Sequence, residues 1–337
     1  VVKSRESMSR TILITGVSGE LGSALVRECS KNKDQIFALD KAPPHSEFPA
    51  AVEFLQVDIC DKESVTQLFL EHNFDVIYHF AALLSSASEK NPFVAHRVNV
   101  EGTISLLESA CALTKKAQPP CRFIFPSSIA VYGSKQNSDL RKRVSESELL
   151  SPRTVYGLHK LYVEKIGEYF SSAEHGELID FRSIRFPGLI SVDSLPSGGT
   201  SDYAAEMLHH AARNEEYSCF VGPGSALPFM TMPDAVSALL QLEKADKAAL
   251  SQRVYNVNGF SATAQQLAEK TQSFFPHART TFAPVQWRQD VVDSWPDDVD
   301  DSLAKRDWGF KAEYDLHSAF VGYLIPGLKK RYSLDTP

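Results

Sequence analysis

Two kinds of hydrophobic pattern alternate along the first 190 residues of the chain. Short apolar runs rich in β-branched and aromatic residues predict strands, whereas longer stretches with apolar residues every three or four positions predict helices. Strands that alternate with helices in this way are typical of an α/β fold with a doubly wound parallel sheet. The predicted strands cover residues 11–15, 35–40, 52–58, 76–81, 123–128, 179–186 and 254–257, and a long predicted helix covers 93–114.

The first predicted strand runs directly into a glycine-rich turn, and helix-forming residues follow it. In this turn Gly16 would permit a sharp reversal, Gly19 would let the backbone approach a pyrophosphate, and Gly22 would let the helix pack close to the strand. The start of the helix offers amide groups and a positive dipole to phosphate. The pattern predicts a dinucleotide-binding turn with contacts from Gly16, Gly19, Glu20, Leu21 and Gly22.

A carboxylate marks the end of the second predicted strand, because Asp40 follows Gly22 by 18 residues. It would accept hydrogen bonds from a ribose diol and would repel a 2′-phosphate, so NAD is favoured over NADP. The neighbouring Lys41 leaves the choice between NAD and NADP open. A purely structural role for Asp40 is a second alternative. Further residues expected at this site follow later strands or lie in the long helix: Asp58, Ile59, Ala81, Ala82 and Asn99.

A second set of reactive side chains lies between residues 127 and 160. Tyr156 and Lys160 are four residues apart in a proline-free segment that predicts a helix, so both side chains lie on one face. An ammonium near a phenol favours the phenolate, and we expect Lys160 to lower the pKa of Tyr156 from about 10. Ser128 ends a predicted strand, where its hydroxyl would orient a substrate alcohol beside the phenol.

Composition excludes several other classes of function. The 337 residues carry a net charge of −7 without a dominant basic stripe, which argues against nucleic-acid binding. Uninterrupted apolar runs stay shorter than the roughly 18 residues that a membrane span requires. The five cysteines are widely spaced with no Cys-x-x-Cys pair, which favours a reducing compartment and argues against structural zinc. His79 lies inside a predicted strand and is interpreted as a core histidine.

The alternation of strands and helices stops after residue 190, where proline and glycine become frequent. We therefore expect an NAD-binding domain at residues 11–190, completed by about 228–260. A smaller substrate-binding domain is expected at residues 191–227 and 261–337. Residues 1–10 are basic and serine-rich without an apolar stretch, so they predict a flexible tail or the remnant of an organelle presequence rather than a secretory signal.

Together these motifs resemble the extended short-chain dehydrogenase/reductases, which share the Rossmann fold. The match covers nearly the whole chain and is carried by the glycine turn, Asp40, His79-Phe80-Ala81-Ala82, Asn99-Val100-x-Gly102-Thr103, Ser127-Ser128-x-x-Val131-Tyr132-Gly133 and Tyr156-x-x-x-Lys160. The second half resembles the short-chain type of L-threonine 3-dehydrogenases through Tyr156-Gly157, Arg185-Phe186-Pro187-Gly188, Gly199-Thr200-Ser201-Asp202, Ala226-Leu227-Pro228-Phe229 and Ser294-Trp295-Pro296-Asp297.

This resemblance implies oxidation of L-threonine by NAD to 2-amino-3-oxobutanoate, without a metal. Tyr156 would be the general base, Lys160 would tune it and hold the nicotinamide ribose, and Ser128 would fix the substrate hydroxyl. Phe80 and Pro187 join the expected cofactor contacts. The expected substrate contacts are Ser85, Ser128, Tyr156, Gly188, Thr200, Ser201 and Trp295. The resemblance also implies a homodimer and a place in the mitochondrial matrix, with the cytoplasm as the alternative.

Two other functions remain open at this stage. Nucleotide-sugar epimerases and dehydratases of the same superfamily usually carry Asn soon after the Arg-Phe or Arg-Tyr pair, where it holds a diphosphate. This chain has Pro187 and Gly188 there, which argues against a nucleotide-sugar substrate. A non-catalytic NAD-binding regulatory module is the other alternative, and the intact set of Ser128, Tyr156 and Lys160 argues against it. For Trp295, a core anchor and a cover over the substrate are equally favoured.

Overall fold

A computed structural model describes residues 9–44, 47–114, 120–134, 143–196 and 198–334. Its strands are β1 Thr11–Thr15, β2 Gln35–Asp40, β3 Val52–Gln56, β4 Val76–His79, β5 Arg122–Ser128, β6 Arg143–Val144, β7 Asp180–Phe186, β8 Gly188–Ile190, β9 Tyr217–Cys219, β10 Ala226–Thr231, β11 Val254–Asn256, β12 Phe260–Thr263, β13 Thr280–Phe282 and β14 Asp298–Val299. Its helices are α1 Glu20–Cys29, α2 Lys62–Glu71, α3 Ser85–Lys90, α4 Pro92–His96, α5 Thr103–Thr114, α6 Val155–Phe170, α7 Tyr203–Ala212, α8 Met232–Lys244, α9 Ala264–Phe274, α10 Gln286–Val292, α11 Ser302–Trp308, α12 Leu316–Ala319 and α13 Ile325–Tyr332.

The main sheet has seven strands in the order β11-β7-β5-β4-β1-β2-β3. The pairs β1–β2, β1–β4, β2–β3 and β4–β5 are parallel. Strand order therefore reverses beside β1, and ligands of such sheets bind at the carboxyl ends of the strands near this switch point. The predicted parallel, doubly wound α/β sheet is confirmed.

The predicted elements of the main sheet form, with small shifts at their ends. Apolar β-branched runs become strands because both faces of a parallel sheet are buried, as the buried residues of β4 and β7 show. The predicted strand at 52–58 ends at Gln56, and that at 76–81 ends at His79. The long helix predicted at 93–114 is present as α4 and α5, joined by a π-helical segment at Arg97–Gly102.

The described chain forms two compact units whose segments interleave along the sequence. The first comprises Val1–Leu83, Phe93–Pro126 and Tyr162–Ser183, and the second comprises Leu84–Pro92, Ser127–Leu161 and Ile184–Pro337. This division of the chain differs from the domain boundary expected near residue 190. The expected cofactor-binding and substrate-binding domains stay a prediction. The predicted tail lies mostly at residues 1–8, which are outside the described residues.

The second unit has a core of its own. Its hydrophobic cluster joins aromatic and aliphatic side chains from many elements, including Tyr203, Phe229, Trp295 and Phe320. Three small sheets, with the orders β12-β10-β8, β13-β9 and β14-β6, contribute residues to this cluster. Over the described residues, every helix is too short or too polar to cross a lipid bilayer.

Candidate active site

The glycine-rich turn after β1 requires two of its glycines for structural reasons. Gly16 has a φ of +74°, which L side chains rarely adopt, and a Cβ there would lie 2.4 Å from the backbone nitrogen of Ala81. A Cβ on Gly22 would lie 2.4 Å from the carbonyl oxygen of Gly16, which is the close approach of helix to strand expected from the sequence. The predicted conformational roles of Gly16 and Gly22 are confirmed.

The start of α1 presents backbone rather than side chain. Gly19 is the N-cap residue and makes no side-chain cap hydrogen bond, and Glu20 and Leu21 form the first turn. A Cβ on Gly19 would come within 3.3 Å of one atom, the carbonyl oxygen of Gly16. An uncovered helix start at the carboxyl end of β1 suits a phosphate group, because amide groups and the helix dipole both favour negative charge.

Asp40 lies at the end of β2 and holds this turn in place. Its carboxylate oxygens accept hydrogen bonds from the backbone nitrogens of Ser18, at 3.0 Å, and Ala42, at 3.1 Å. The carboxylate therefore lies beside the glycine turn, where a ribose diol can reach it. Asp58 is exposed after β3, and the next residue, Ile59, is buried against Gly102.

Asn99 braces the segment that follows β4. Its side-chain oxygen accepts from the backbone nitrogen of Leu83 at 2.7 Å, and its side-chain nitrogen donates to the carbonyl oxygen of Leu83 at 3.0 Å. Phe80, Ala81 and Ala82 are half-buried between β4 and this clamp. Asn99, expected at the cofactor site, thus clamps the backbone of Leu83. It lies in the π-helical segment, a feature that often marks functional sites.

The residues of the first unit fit a bound dinucleotide. Two glycines are required where the backbone turns, a helix starts without a side-chain cap, and a carboxylate ends the neighbouring strand. These are the features with which Rossmann folds hold a pyrophosphate and an adenosine ribose. Pro187, also expected at the cofactor, is buried in the second unit.

In the second unit, Ser128 and Tyr156 are hydrogen-bonded to each other. Ser128 ends β5, and its hydroxyl oxygen accepts from the backbone nitrogen of Ala130 at 3.1 Å. Because the oxygen of Ser128 is the acceptor in this bond, the single proton of its hydroxyl is available to donate to the phenol oxygen. Lys160 lies on the same helix as Tyr156, and its Nζ is 5.4 Å from the centroid of the phenol ring. The structure therefore brings the three predicted catalytic residues together.

The pKa of Tyr156 moves in the opposite direction from the one expected. Burial raises it above the ordinary value, and the hydrogen bond with Ser128 lowers it by less. The expectation that the pKa of Tyr156 is lowered from its ordinary value was wrong, because the loss of water around the phenol outweighs the effect of its neighbours. Lys160 itself is 5% exposed, so both groups lie in a site largely shielded from water.

The polar residues expected at the substrate also meet within the second unit. The hydroxyl oxygens of Ser85 and Thr200 lie 2.9 Å apart although the residues are 115 positions apart in sequence. A Cβ on Gly188 would lie 3.2 Å from the Cβ of Ser201 and 2.8 Å from the ring of Phe229. These contacts place Ser201 directly against Gly188.

Trp295 is 5% exposed and belongs to the hydrophobic cluster of the second unit. The anchor role considered for it is therefore present. Its indole Nε1 is nevertheless buried without a hydrogen-bond partner among the described residues. A buried donor with no acceptor is costly, and a polar ligand group would satisfy it.

Sequence reasoning missed a buried polar network around Arg185. The Arg185 guanidinium donates to the Tyr132 phenol at 2.9 Å and to the carbonyl oxygen of Glu146 at 2.7 Å. The Tyr132 phenol donates to the side-chain oxygen of Asn256 at 2.6 Å, and burial raises the pKa of Tyr132 to about 12. The signal in the sequence was Tyr132 in the Ser-Ser-x-x-Val-Tyr-Gly motif, but its partner lies 124 residues away.

Asp202 is a second residue that the sequence did not assign. One of its carboxylate oxygens accepts from the backbone nitrogens of Gly198, at 2.9 Å, and Gly199, at 2.6 Å. The Ser86 hydroxyl donates to the carbonyl oxygen of Gly198 at 2.6 Å. The loop before Thr200 is thus fixed from both sides. Within the described ranges, no group of three or more His, Cys, Asp or Glu side chains is arranged to hold a metal ion.

The chain is similar to one protein family and to individual proteins over most of its length. Residues 12–258 match the model of the NAD-dependent epimerase/dehydratase family. The mitochondrial L-threonine 3-dehydrogenase of Sus scrofa is 35% identical over 314 residues, which cover 92% of this chain and 81% of that protein. An uncharacterized epimerase/dehydratase of Staphylococcus aureus strain MRSA252 is 34% identical over 313 residues, covering 92% of this chain and 94% of that protein.

A solved structure resembles the chain over almost its full length. It is a monomeric L-threonine 3-dehydrogenase of metagenomic origin in its apo form, with a TM-score of 0.85 and 35% sequence identity. The likeness covers 95% of this chain and 99% of that one.

Proposed function

The chain belongs to the NAD-dependent epimerase/dehydratase family, and from this premise we propose that it is an L-threonine 3-dehydrogenase, which oxidises L-threonine to 2-amino-3-oxobutanoate. The observation that carries the proposal is the hydrogen-bonded pair of Ser128 and Tyr156, with Lys160 on the same helix. These are parts that an alcohol oxidation needs: a base for the hydroxyl proton and, beside it, groups that favour the charged form of that base.

Tyr156 receives the proton of the hydroxyl on carbon 3 of threonine. Ser128 donates its proton to the phenol oxygen, which favours the phenolate and opposes the effect of burial. The Lys160 ammonium stabilises the same negative charge from one helical turn away. NAD, which the glycine turn and Asp40 would hold, would supply the acceptor for the hydride of carbon 3. General base catalysis of this kind is worth about 10²- to 10⁴-fold in rate.

The substrate carries both a carboxylate and an ammonium, and each needs a partner in a site shielded from water. The paired hydroxyls of Ser85 and Thr200, the hydroxyl of Ser201 and the orphan Nε1 of Trp295 supply such partners within the second unit. The hydroxyls can hold either the carboxylate or the ammonium, whereas the indole N–H is a donor and is assigned to the carboxylate. Asp202 and Ser86 hold the loop that carries Thr200, so the hydroxyls are positioned before the substrate binds.

A nucleotide-sugar substrate is disfavoured by the packing around Gly188. Any side chain at this position would collide with the Phe229 ring and approach the Cβ of Ser201. An amide side chain that holds a diphosphate therefore has no room there.

The chain's assembly and compartment are further parts of this proposal. Leu158, Tyr162 and Tyr169 lie on one face of α6, at 54%, 47% and 47% exposure, and we propose that this face forms a homodimer interface. The monomeric relative makes the monomer the competing state. The mitochondrial relative supports the mitochondrial matrix as the compartment, and the similar bacterial relative supports the cytoplasm as the alternative.

A substrate panel tests the proposed activity. The purified protein is mixed with L-threonine, L-serine, L-allo-threonine, UDP-glucose or GDP-mannose, each with NAD or NADP, and absorbance at 340 nm is followed. We expect reduced cofactor to appear with L-threonine and NAD. Conversion of a nucleotide sugar without net NADH, detected by chromatography, would support an epimerase instead.

A further inference from the structure

His79 lies at the centre of a buried hydrogen-bonded chain in the first unit. Its Nδ1 is 2.8 Å from the hydroxyl of Thr15, and its Nε2 is 2.8 Å from the hydroxyl of Thr103. All three residues are at most 1% exposed, and the rings of Phe123 and Phe125 pack against the imidazole. In such surroundings each donor needs an acceptor, so the directions of the hydrogen bonds can be worked out.

The two hydroxyls fix the protonation state of His79. The Thr15 hydroxyl accepts from the backbone nitrogen of Ala81 at 3.3 Å, and its own proton has an acceptor in His79 Nδ1 when that nitrogen is unprotonated. The Thr103 hydroxyl donates to the carbonyl oxygen of Asn99 at 2.8 Å, so it accepts from His79 Nε2. The neutral imidazole with its proton on Nε2 gives an acceptor to the proton of Thr15 and a donor to the oxygen of Thr103.

Each end of this hydrogen-bonded chain of side chains holds one end of the segment 81–83, which follows β4. At one end, the Ala81 amide is fixed by Thr15 and lies against Gly16 of the nucleotide-binding turn. At the other end, Asn99 grips Leu83 through both atoms of its side-chain amide. The imidazole therefore sets the spacing between β1, β4 and the π-helical segment at Arg97–Gly102.

We propose that His79 is a positioning residue for NAD binding: as a neutral imidazole protonated on Nε2, it locks Thr15 and Thr103 so that the backbone at Ala81 and Leu83 is preorganised beside the glycine turn. The histidine makes no contact with reacting atoms in this role. The proposal rests on the use of NAD by the family, and not on the choice of threonine as substrate.

Binding of NAD to the isolated protein, measured by isothermal titration calorimetry without threonine, tests the chain of hydrogen bonds. Thr15→Val keeps the shape but removes the hydroxyl, and we expect about tenfold weaker NAD binding, a loss of about 1.4 kcal/mol. Thr15→Ser restores the hydroxyl and should bind NAD within about twofold of the wild type. The matched control is Thr271→Val, because Thr271 is 1% exposed but its hydroxyl has no partner among the described residues.

A spectroscopic measurement tests the protonation state directly. Long-range ¹H–¹⁵N correlation spectra of histidine-labelled protein distinguish the two neutral tautomers and the cation, and His79→Gln identifies the His79 signals among those of the ten histidines. We expect the Nε2-protonated tautomer at neutral pH. The proposal is overturned if His79 carries its proton on Nδ1, or if Thr15→Val binds NAD as tightly as the wild type and Thr271→Val. A failure of the threonine assay alone would contradict the proposed substrate and leave both measurements unchanged.

Discussion

At the scale of single residues, the chemistry of the site depends on how one phenol is buried. Burial raises the pKa of Tyr156, and the Ser128 hydroxyl is the neighbour that works against this effect. The proton therefore remains on the phenol at neutral pH, and the base form becomes populated only as the pH rises. Because the oxidation needs the base form, its rate is expected to increase towards alkaline pH.

Replacement of Ser128 by alanine should move this pH dependence. Without the hydroxyl, the pKa of Tyr156 rises further, so the increase in kcat/KM for L-threonine should shift to higher pH, and kcat/KM at pH 8 should fall about 10²-fold. Ser128→Thr keeps a hydroxyl and is the matched control. The measurement is the pH profile of kcat/KM, and an unchanged profile in Ser128→Ala would contradict the role given to this hydroxyl.

Single-residue roles were predictable where the backbone demands a particular residue. The conformations of Gly16 and Gly22 and the position of Asp40 at a strand end could be predicted from the sequence, because φ, close packing and strand ends follow local patterns. The direction of the Tyr156 pKa could not, since desolvation depends on packing by distant segments. The same applies to the indole of Trp295, whose burial and orphan Nε1 result from the core of the second unit.

At the scale of elements, the backbone of one residue, Ala130, connects the two halves of the catalytic pair. The Ala130 nitrogen donates to the Ser128 hydroxyl, and the Ala130 carbonyl lies where a Cβ on Gly157 would approach to 2.0 Å. Gly157 follows Tyr156 in α6, so this contact sets how closely the helix approaches the turn after β5. The sequence predicted the strand and the helix, but not that a glycine fixes their distance.

Gly157→Ala should therefore separate the catalytic pair. The added methyl would force α6 away from the backbone of Ala130, and kcat should fall at least about 10²-fold, since a displacement of about 1 Å is enough for such a loss. Gly167→Ala is the matched control on the same helix, because its Cβ would meet the Phe181 ring, which is distant from Tyr156 in sequence.

Steady-state kinetics and thermal melts of the two glycine variants distinguish catalysis from stability. We expect Gly167→Ala to lower the Tm while it keeps most of its kcat. Equal kcat values for Gly157→Ala and the wild type would show that the Ala130 contact does not position Tyr156.

Hydrogen bonds between segments far apart in the chain could not be predicted from the sequence. The seven strands of the main sheet and most of their ends follow from short apolar runs. The pairing of β6 with β14 joins segments more than 150 residues apart, and neither two-residue strand has a sequence pattern that predicts its partner. The π-helical segment at Arg97–Gly102 likewise has the composition of an ordinary helix.

At the scale of the whole molecule, stability in acid should depend on a buried histidine between α7 and α13. The Nδ1 of His209 and the hydroxyl oxygen of Tyr332 are hydrogen-bonded at 2.8 Å. Burial, followed by the positive charges of Arg331 and Arg213, lowers the pKa of His209 to about 4. The unfolded chain binds this proton near pH 6.5, so folding is favoured above that pH and loses this contribution as the pH falls towards 4.

Urea unfolding at pH 7 and pH 4.5 measures this effect. The free energy of unfolding of the wild type should fall between these pH values by about 2 kcal/mol more than that of His209→Gln, which cannot titrate. His277→Gln controls for the loss of an exposed histidine. Equal pH dependence in the wild type and His209→Gln would contradict the buried neutral state of His209.

Assembly is a second property of the whole molecule. If the exposed face of α6 forms the dimer, Tyr162→Lys should convert the protein to a monomer, because a charge would be buried in an apolar interface. Leu70→Lys, on the exposed side of α2, is the control. Sedimentation velocity reports the mass of each variant, and a wild-type monomer at micromolar concentration would exclude the proposed homodimer.

The most direct test of the central claim compares the wild type with Tyr156→Phe in two measurements. The first is NADH formation from L-threonine at 340 nm, and the second is the Kd for NAD. If Tyr156 is the base, the substitution removes one oxygen and should lower kcat at least about 10³-fold while the Kd for NAD stays within about twofold. Full threonine-dependent activity in Tyr156→Phe would contradict the account.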